Sequence, residues 1–201
     1  MRALLICLLL PMAAITLAAD NKKEAGKFSP GPASSYPAKQ TNGHVTVAAI
    51  PYDTEELAHT AFGKLNPNQY GVLPILVIIQ NDTDQALKLD HLEAEYTSFD
   101  GRNLEATSAD DVKTLGGAER PTVPVATPIP IHRRHKNPLD EWEIDGRSLT
   151  AKLLPPHESV NGFVYFQTAH QPGSRFYLSG IKVAATGQDI LFFDIPLPTP
   201  K

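Results

Sequence analysis

The sequence predicts an all-β protein, an antiparallel β-sandwich with one or two short helices and a long proline-rich loop. Apolar and polar residues alternate in seven or eight short segments, which is the period of a half-buried strand. Turn signals separate these segments at regular intervals, a pattern typical of a sandwich or a barrel. One segment, 72–79, is apolar on both faces and is therefore expected in the middle of a sheet.

The N-terminus has the three-part layout of a secretory signal. Arg2 supplies the positive charge, residues 3–10 form an apolar run, and small side chains precede a cleavage site near Ala18. A membrane-spanning helix needs about 20 uninterrupted apolar residues, whereas Pro11 breaks this run. We therefore expect residues 1–19 to be a signal peptide that is removed, leaving no transmembrane anchor.

The only cysteine, Cys7, lies inside this signal. The mature chain is therefore expected to have no thiol for a disulfide, a thiolate metal site or a cysteine nucleophile. A secreted domain without disulfides needs an ordinary apolar core, and a chain of this length is able to bury one. The formal net charge of −4 argues against general nucleic-acid binding, which needs a strongly basic face.

Residues 20–43 are expected to be a disordered leader, and residues 44–201 a single domain. Asn, Lys, Glu, Gly, Ser and Pro dominate the leader, and such a composition buries too little apolar surface to offset the entropy of ordering. Proline contributes 18 of the 201 residues. The prolines fall in clusters, so they mark turns and loops rather than disorder throughout.

Two short helices are predicted between the strands. In the first, Asp53 stands three residues before Glu56, as in a capping box, and Leu57 and Phe62 share one apolar face. The second begins at Ser108, a good capping residue followed by two acidic residues. Both helices are too short to change the all-β class.

Two irregular features are also predicted. The apolar phase slips after Leu89, as a β-bulge near Asp90 and His91 requires. Further on, five prolines fall within a long loop, 121–139. Loops of this length in a compact domain are usually functional or disordered, and the prolines make this one stiff and extended.

Two segments share the strand pattern of a known family. The first is an apolar strand with an Asn-Asp turn at 73–82, followed by Tyr-x-x-Phe-Asp-Gly-Arg at 96–102. The second is Leu-Leu-Pro-Pro-x-Glu-Ser-x-x-Gly-Phe-Val-Tyr-Phe at 153–166. Together they resemble the telokin-like, immunoglobulin-type domains of bacterial envelope proteins, in which a Pro-Gly-Glu-Ser turn precedes a Gly-led strand. The resemblance implies an immunoglobulin-like sandwich with an interaction-type function, and it transfers no active-site residue.

This sequence departs from the family pattern at two places. Pro156 and His157 replace the Pro-Gly of the turn, and residues 106–141 form an insertion that the compact form lacks.

The densest charge cluster is the first candidate binding element, and it consists of His132, Arg133, Arg134, His135 and Lys136. The two histidines suggest a metal site, but the adjacent positive charges repel a cation and no third ligand adjoins. The arginines suit an anion, because a guanidinium binds phosphate or carboxylate through two hydrogen bonds. A third interpretation is a solvated loop whose charges pair with nearby acidic residues.

Trp142 is the second candidate. Glu141 and Glu143 flank it, and an aromatic ring beside two carboxylates suggests sugar binding or glycoside hydrolysis. On a strand, the two carboxylates would share a face. Acidic residues around a half-buried Trp are also common at a strand edge, so we assign Trp142 a binding role and name no catalytic residue.

A calcium site at 81–84 with Asp90 is a further hypothesis. These residues supply oxygen ligands but lack the twelve-residue ligand spacing of known calcium loops, and the same residues make a good turn. Serine-hydrolase and phosphate-loop motifs are not found in the sequence.

The sequence therefore predicts an exported, periplasmic or secreted, non-enzymatic interaction module without a cofactor. Its partner is expected to be another envelope or secreted protein rather than nucleic acid, bound by the loop 121–139 and its basic tip. The alternatives are a periplasmic accessory protein that binds an anion, a sugar or a cation, and a hydrolase.

Overall fold

The computed structural model describes residues 28–115, 137–139 and 142–200. Within these ranges the strands are β1 Lys39–Asn42, β2 Val45–Pro51, β3 Leu73–Asn81, β4 Leu87–Lys88, β5 Glu93–Thr97, β6 Asn103–Glu105, β7 Leu153–Leu154, β8 Ser159–Phe166, β9 Arg175–Ser179, β10 Lys182–Val183 and β11 Phe193–Pro196. The α-helices are α1 Glu55–Phe62, α2 Ala109–Leu115 and α3 Trp142–Gly146, and two 3₁₀ helices span Ala33–Ser35 and Pro67–Tyr70. The strands pair antiparallel, so the predicted all-β class is confirmed.

The first layer is a four-stranded sheet in the order β1-β2-β3-β8. Strand β3 lies between β2 and β8, with Val47 opposite Ile79 and Val164 opposite Ile75. Eight of its nine residues are buried. A strand that is apolar on both faces belongs in such a position, and the prediction for 72–79 is confirmed.

The second layer consists of two smaller sheets, β10-β4-β7 and β11-β9-β5-β6. Lys88 pairs with Lys182, and Glu93 pairs with Ser179, so the four residues 89–92 face the two residues 180–181. The irregularity that we predicted near residues 90 and 91 therefore lies between β4 and β5, where the chain passes from the three-stranded sheet to the second four-stranded sheet.

The main core lies between the two layers. It is filled by aliphatic residues of β2 and β3 and by aromatic rings from the surrounding strands. The largest fully buried members are Tyr96, Phe166, Phe176, Phe193, Leu73 and Ile75.

A second core covers the opposite face of the first sheet. There Leu76 and Phe163 pack with Phe62 of α1, Val112 of α2 and Ile144 of α3. The helices therefore form a helical layer on the outer face of β2, β3 and β8, and this layer carries the candidate site.

The helix caps agree only in part with the predictions. Ser108 caps α2 as predicted, because its hydroxyl accepts the amide of Asp111 at 3.1 Å. Thr54, rather than Asp53, caps α1 by accepting the amide of Leu57 at 3.3 Å. The residue three positions after this cap is Leu57, which has no carboxylate to return a bond, so the predicted capping box is wrong.

The structure also differs from the sequence prediction in residues 28–43, which pack on the domain instead of forming a disordered leader. Ala33 is fully buried, and β1 pairs with β2 along its length. Its polar side chains have structural roles: Gln40 accepts the amide of Asp194 and Asn42 donates to the carbonyl of Phe192, each at 2.7 Å. Strand pairing uses backbone groups, so the polar composition did not prevent it.

The predicted signal peptide, residues 20–27 of the predicted leader and most of the proline-rich loop lie outside the described residues. None of the helices within the described ranges is long and apolar enough to cross a membrane.

Candidate recognition surface

The structure places one of the six predicted binding residues. His132, Arg133, Arg134, His135 and Lys136 lie outside the described residues. Trp142 begins α3 and is 66% exposed. Glu141 lies outside the described residues, and Glu143 lies on helix α3 rather than on the strand that the sequence suggested.

The two ends of the segment 116–136 approach each other on the helical layer. Helix α2 ends at Leu115, and the side-chain amide of Asn137 donates to the carbonyl of Lys113. The Lys113 ammonium in turn binds Asp145 of α3 at 2.6 Å. The hydrogen bonds that the ammonium donates to Asp145 and, second, to Asp110 hold the pKa of Lys113 above its usual range. The described residues on either side of this segment, Leu115 and Asn137, therefore belong to the part of the helical layer that contacts α3.

The indole ring of Trp142 is exposed but held in place. It lies against its own helix, because a methyl group added at Gly146 would lie 2.9 Å from a ring carbon. The guanidinium of Arg147 is 5.8 Å from the Trp142 ring centre and 4.8 Å from that of Phe28. Contacts of this kind are cation–π interactions, and they support one side of the indole while leaving much of it in solvent.

Helix α3 is tied to the first sheet by a buried hydrogen bond. The Tyr165 hydroxyl on β8 donates to the carbonyl of Ile144 at 2.7 Å. Burial raises the pKa of Tyr165 well above its ordinary value, and burial likewise raises the pKa of nearby Tyr52 to about 12. Both phenols therefore stay neutral at physiological pH.

A cavity of about 370 Å³ opens between α1, the 67–70 3₁₀ helix and α3. This volume falls within the range of roughly 300–1,000 Å³ that is typical of ligand sites. Buried side chains form its floor: Phe62, Leu65 and Asn66. More exposed side chains form its rim: Lys64, Gln69, Tyr70, Pro138 and Glu143. We call this cavity together with Trp142 the recognition surface.

Asn66 is the polar group on the cavity floor, and its orientation is set by the chain around it. Its side-chain oxygen accepts the backbone amide and the side-chain amide of Asn68, both at 3.1 Å. The Asn66 side-chain nitrogen has no acceptor among the described residues, although the residue is only 9% exposed. Asn66 is one of the residues that line the cavity. Asn66 is not among the binding residues that the sequence predicted.

The hypothetical calcium ligands serve a turn instead. Asn81 is fully buried, and its amide donates to the carbonyls of Gln85 and Pro155 while its oxygen accepts from Thr83. Asp84 contacts the imidazole of His157 at 3.0 Å. In the part of the chain that the structure describes, no three His, Cys, Asp or Glu side chains are grouped to hold a metal ion.

A Ser-His-Asp cluster that the sequence did not indicate lies beyond the ends of β2 and β8, near Asn68 of the 67–70 3₁₀ helix. His170 Nε2 contacts the Pro198 carbonyl at 2.7 Å and lies 4.0 Å from the Asp53 carboxylate. Because a carbonyl only accepts, Nε2 carries a proton, and in the neutral imidazole Nδ1 accepts the hydroxyl of Ser174 at 3.3 Å. Ser174 is 1% exposed and the His170 side chain 1%. In this conformation the cluster fastens the C-terminal segment, and no substrate reaches the hydroxyl.

No family model matches the chain, and no curated protein matches it. Solved structures do match. One is the structural genomics target SoR45, which is 13% identical, with 79% of this chain and 91% of that chain covered and a TM-score of 0.36. Another is the target BeR40 from Bordetella pertussis, which carries the name ApaA and is 14% identical, with 81% and 98% covered and a TM-score of 0.38. Likeness at these scores carries no argument about function.

Proposed function

We propose that the chain is an exported, non-enzymatic binding module of the cell envelope, with an immunoglobulin-like sandwich of the telokin-like type as its scaffold. Its partner is another periplasmic or secreted protein. The observation that carries this proposal is the recognition surface, where an open cavity and the exposed Trp142 lie beside the ends of the segment 116–136.

The composition of the surface supports a binding role. Binding energy at protein interfaces is concentrated in a few aromatic and Arg residues that surround or fill pockets. Here Tyr70 is 40% exposed and lines the cavity, and Trp142 is 66% exposed and directly precedes Glu143, another lining residue. Aromatic side chains in a fixed position lose little conformational entropy when a partner docks.

The position of the surface on the fold also supports a binding role. Function concentrates on connecting segments that a rigid scaffold holds in place. The bond from Tyr165 to Ile144 and the second core attach α3 to β8. The basic residues His132 to Lys136 belong to the segment that joins this layer, and we propose that they contribute to the same surface.

A hydrolytic function has less support. Ser174 and the side chain of His170 are each only 1% exposed, and the imidazole already donates to the carbonyl of Pro198. Nucleophilic catalysis needs a hydroxyl that a substrate carbonyl is able to approach.

The test is co-purification of the tagged full-length chain from its own cell envelope at native expression level. Three variants accompany the wild type: Trp142→Ala, a deletion of residues 121–136, and Phe99→Ala. Phe99 is 74% exposed and lies in the turn between β5 and β6, so it is a matched aromatic control. We expect a stoichiometric partner with the wild type and with Phe99→Ala. Recovery should fall by roughly tenfold or more with Trp142→Ala, as for a hot-spot residue.

Two results would contradict the proposal. If no partner is recovered with any form, the interaction function is wrong. If Trp142→Ala and the deletion retain the partner as well as Phe99→Ala does, the module binds through a different surface.

A further inference from the structure

We infer that Arg147, beside Trp142, anchors a carboxylate group of the partner protein. This inference rests on the proposed function and names the chemistry that the partner presents, an Asp or Glu side chain. It is carried by the guanidinium of Arg147, which is held beside two aromatic rings, and by the absence of a carboxylate against it among the described residues.

The backbone of Arg147 is fixed between α3 and the first sheet. Its amide donates to the carbonyl of Glu143 at 3.2 Å, and its carbonyl accepts the amide of Phe163 on β8 at 2.7 Å. The side chain is half-buried. Its guanidinium carbon lies 4.8 Å from the ring centre of Phe28 and 5.8 Å from that of Trp142. The fold therefore sets the position of this charge before a partner arrives.

The guanidinium has no oxygen acceptor in the part of the chain that the structure describes. Its Nε atom is buried without a hydrogen-bond partner, whereas the two terminal nitrogens are not buried. The aromatic rings attract the charge but supply no oxygen. The terminal nitrogens carry most of the N–H donors of a guanidinium, and they are therefore available to a ligand.

The acidic residues nearest in the sequence do not neutralise this charge within the described ranges. Glu143 lies one helical turn before Arg147, a spacing at which ion pairs commonly form, yet the two side chains form no ion pair. Asp145 instead accepts from the ammonium of Lys113 at 2.6 Å. A partly buried charge is stabilised when a group of opposite charge pairs with it, so the position is complementary to an anion.

The nearby tyrosines bring no competing negative charge. Burial is the main cause of the raised pKa of both Tyr52 and Tyr165, and the positive charge of Arg147 acts on each in the opposite direction. Both phenols are thus close enough to interact with the guanidinium, and both are neutral at physiological pH. The charge of Arg147 remains free for a partner.

A protein carboxylate fits this position. Its two oxygens accept two parallel N–H bonds from a guanidinium, and Asp and Glu side chains are the anionic groups that proteins carry at their surfaces. The exposed ring of Trp142 would pack against the apolar atoms of the same partner segment. A neutral or basic segment would cover the charge of Arg147 without pairing it, which is costly.

The test is a calorimetric titration of the full-length protein at low ionic strength with a short capped peptide in which glutamate alternates with glycine. The same peptide with glutamine in place of glutamate, and inorganic phosphate, are the comparison ligands. Trp142 is the only tryptophan of the chain and lies near the guanidinium, so its fluorescence provides a second readout.

The discriminating variant is Arg147→Gln, which removes the charge. Arg102→Gln is the matched control, because the Arg102 side chain is 74% exposed and already pairs with Asp100. We expect Arg147→Gln to weaken peptide binding at least about tenfold, the loss expected when a hydrogen bond to a charged group is removed. Arg102→Gln should leave binding unchanged. Arg147→Lys should give an intermediate affinity, because an ammonium keeps the charge but lacks the planar fork, and it serves as the test variant if Arg147→Gln does not fold.

Saturable binding of the glutamate peptide, weakened by Arg147→Gln and by added salt, is the expected result. Failure of this peptide to bind, equal binding of the glutamine peptide or tighter binding of phosphate would overturn the inference. So would an unchanged affinity with Arg147→Gln, or an equal loss with Arg102→Gln. In each of these cases the proposed function stands if Trp142→Ala still lowers co-purification, and it is wrong as well if Trp142→Ala has no effect.

Discussion

Replacement of Gly162 by alanine should destabilise the protein and displace the recognition surface. Gly162 lies on β8, and the backbone of Leu149 runs directly against it. A methyl group at this position would lie 2.5 Å from Leu149 Cα and 2.6 Å from its amide nitrogen. These are backbone atoms, so no side-chain rotation relieves the overlap, and the segment that follows α3 has to move.

The expected loss of stability follows from two opposed effects. Overpacking of a well-packed site costs about 1–3 kcal/mol. Gly→Ala at a site without positive φ otherwise stabilises by about 0.4–1 kcal/mol, because the unfolded chain loses entropy. The net fall in the free energy of unfolding is about 1–2 kcal/mol. At a urea slope of about 2 kcal/mol/M, the midpoint should fall by roughly 0.5–1 M.

The assay is urea unfolding followed by circular dichroism, combined with Trp142 fluorescence in the absence of denaturant. The amide of Leu149 donates to the carbonyl of Phe163, and the amide of Phe163 donates to the carbonyl of Arg147. The guanidinium of Arg147 lies near the Trp142 ring, so a shift there should change the emission of Trp142. Gly187→Ala is the control, because Gly187 has a positive φ of 71° but open space around it. That control should lose some stability and leave the emission unchanged. An unaltered midpoint and emission for Gly162→Ala would refute the packing argument.

Three further predictions concern the layer that carries the surface. Tyr165→Phe should lower the free energy of unfolding by about 1–2 kcal/mol in urea unfolding, since the buried carbonyl of Ile144 loses its donor; an unchanged value would mean that water replaces the hydroxyl. Burial raises the pKa of Tyr52 from 10.0 to about 12. The contribution of the buried neutral phenol to the free energy of unfolding is therefore complete below pH 10 and is lost as pH rises towards 12. Thermal melts across this window should show a shallower alkaline decline for Tyr52→Phe, and equal slopes would contradict the assigned burial. Asp145→Asn should cause a small loss of stability that disappears at high salt, because its bond to Lys113 is partly exposed; a loss that salt does not reduce would argue against an ionic contribution.

Much of the β-framework could be predicted because its signals are local. The apolar run of β3 indicated a central strand, and the slip in apolar phase after Leu89 indicated the irregularity between β4 and β5. Ser108 was recognised as the cap of α2 for the same reason. In each case the chain segment itself contains the pattern that the structure uses.

The features that escaped prediction depend on distant partners. Strand β1 is polar and short, and Gln40 and Asn42 hydrogen-bond to Asp194 of β11 and to Phe192 just before it, about 150 residues further along the chain. Helix α3 has only five residues, too few to show a helical period, and its place depends on Tyr165 of β8. The cavity likewise joins α1 and α3, so no single window of sequence contains it.

The most direct test of the central claim is site-specific photo-cross-linking in living cells. A benzophenone amino acid replaces Tyr70 at the cavity rim in one strain and Phe99 in another. Phe99 is the more exposed of the two, at 74% against 40%, so random collisions would favour cross-links at position 99. The account predicts a single discrete adduct with an envelope protein at position 70 and none at position 99. Adducts only at position 99, or equal adducts at both, would contradict a recognition surface on the helical layer.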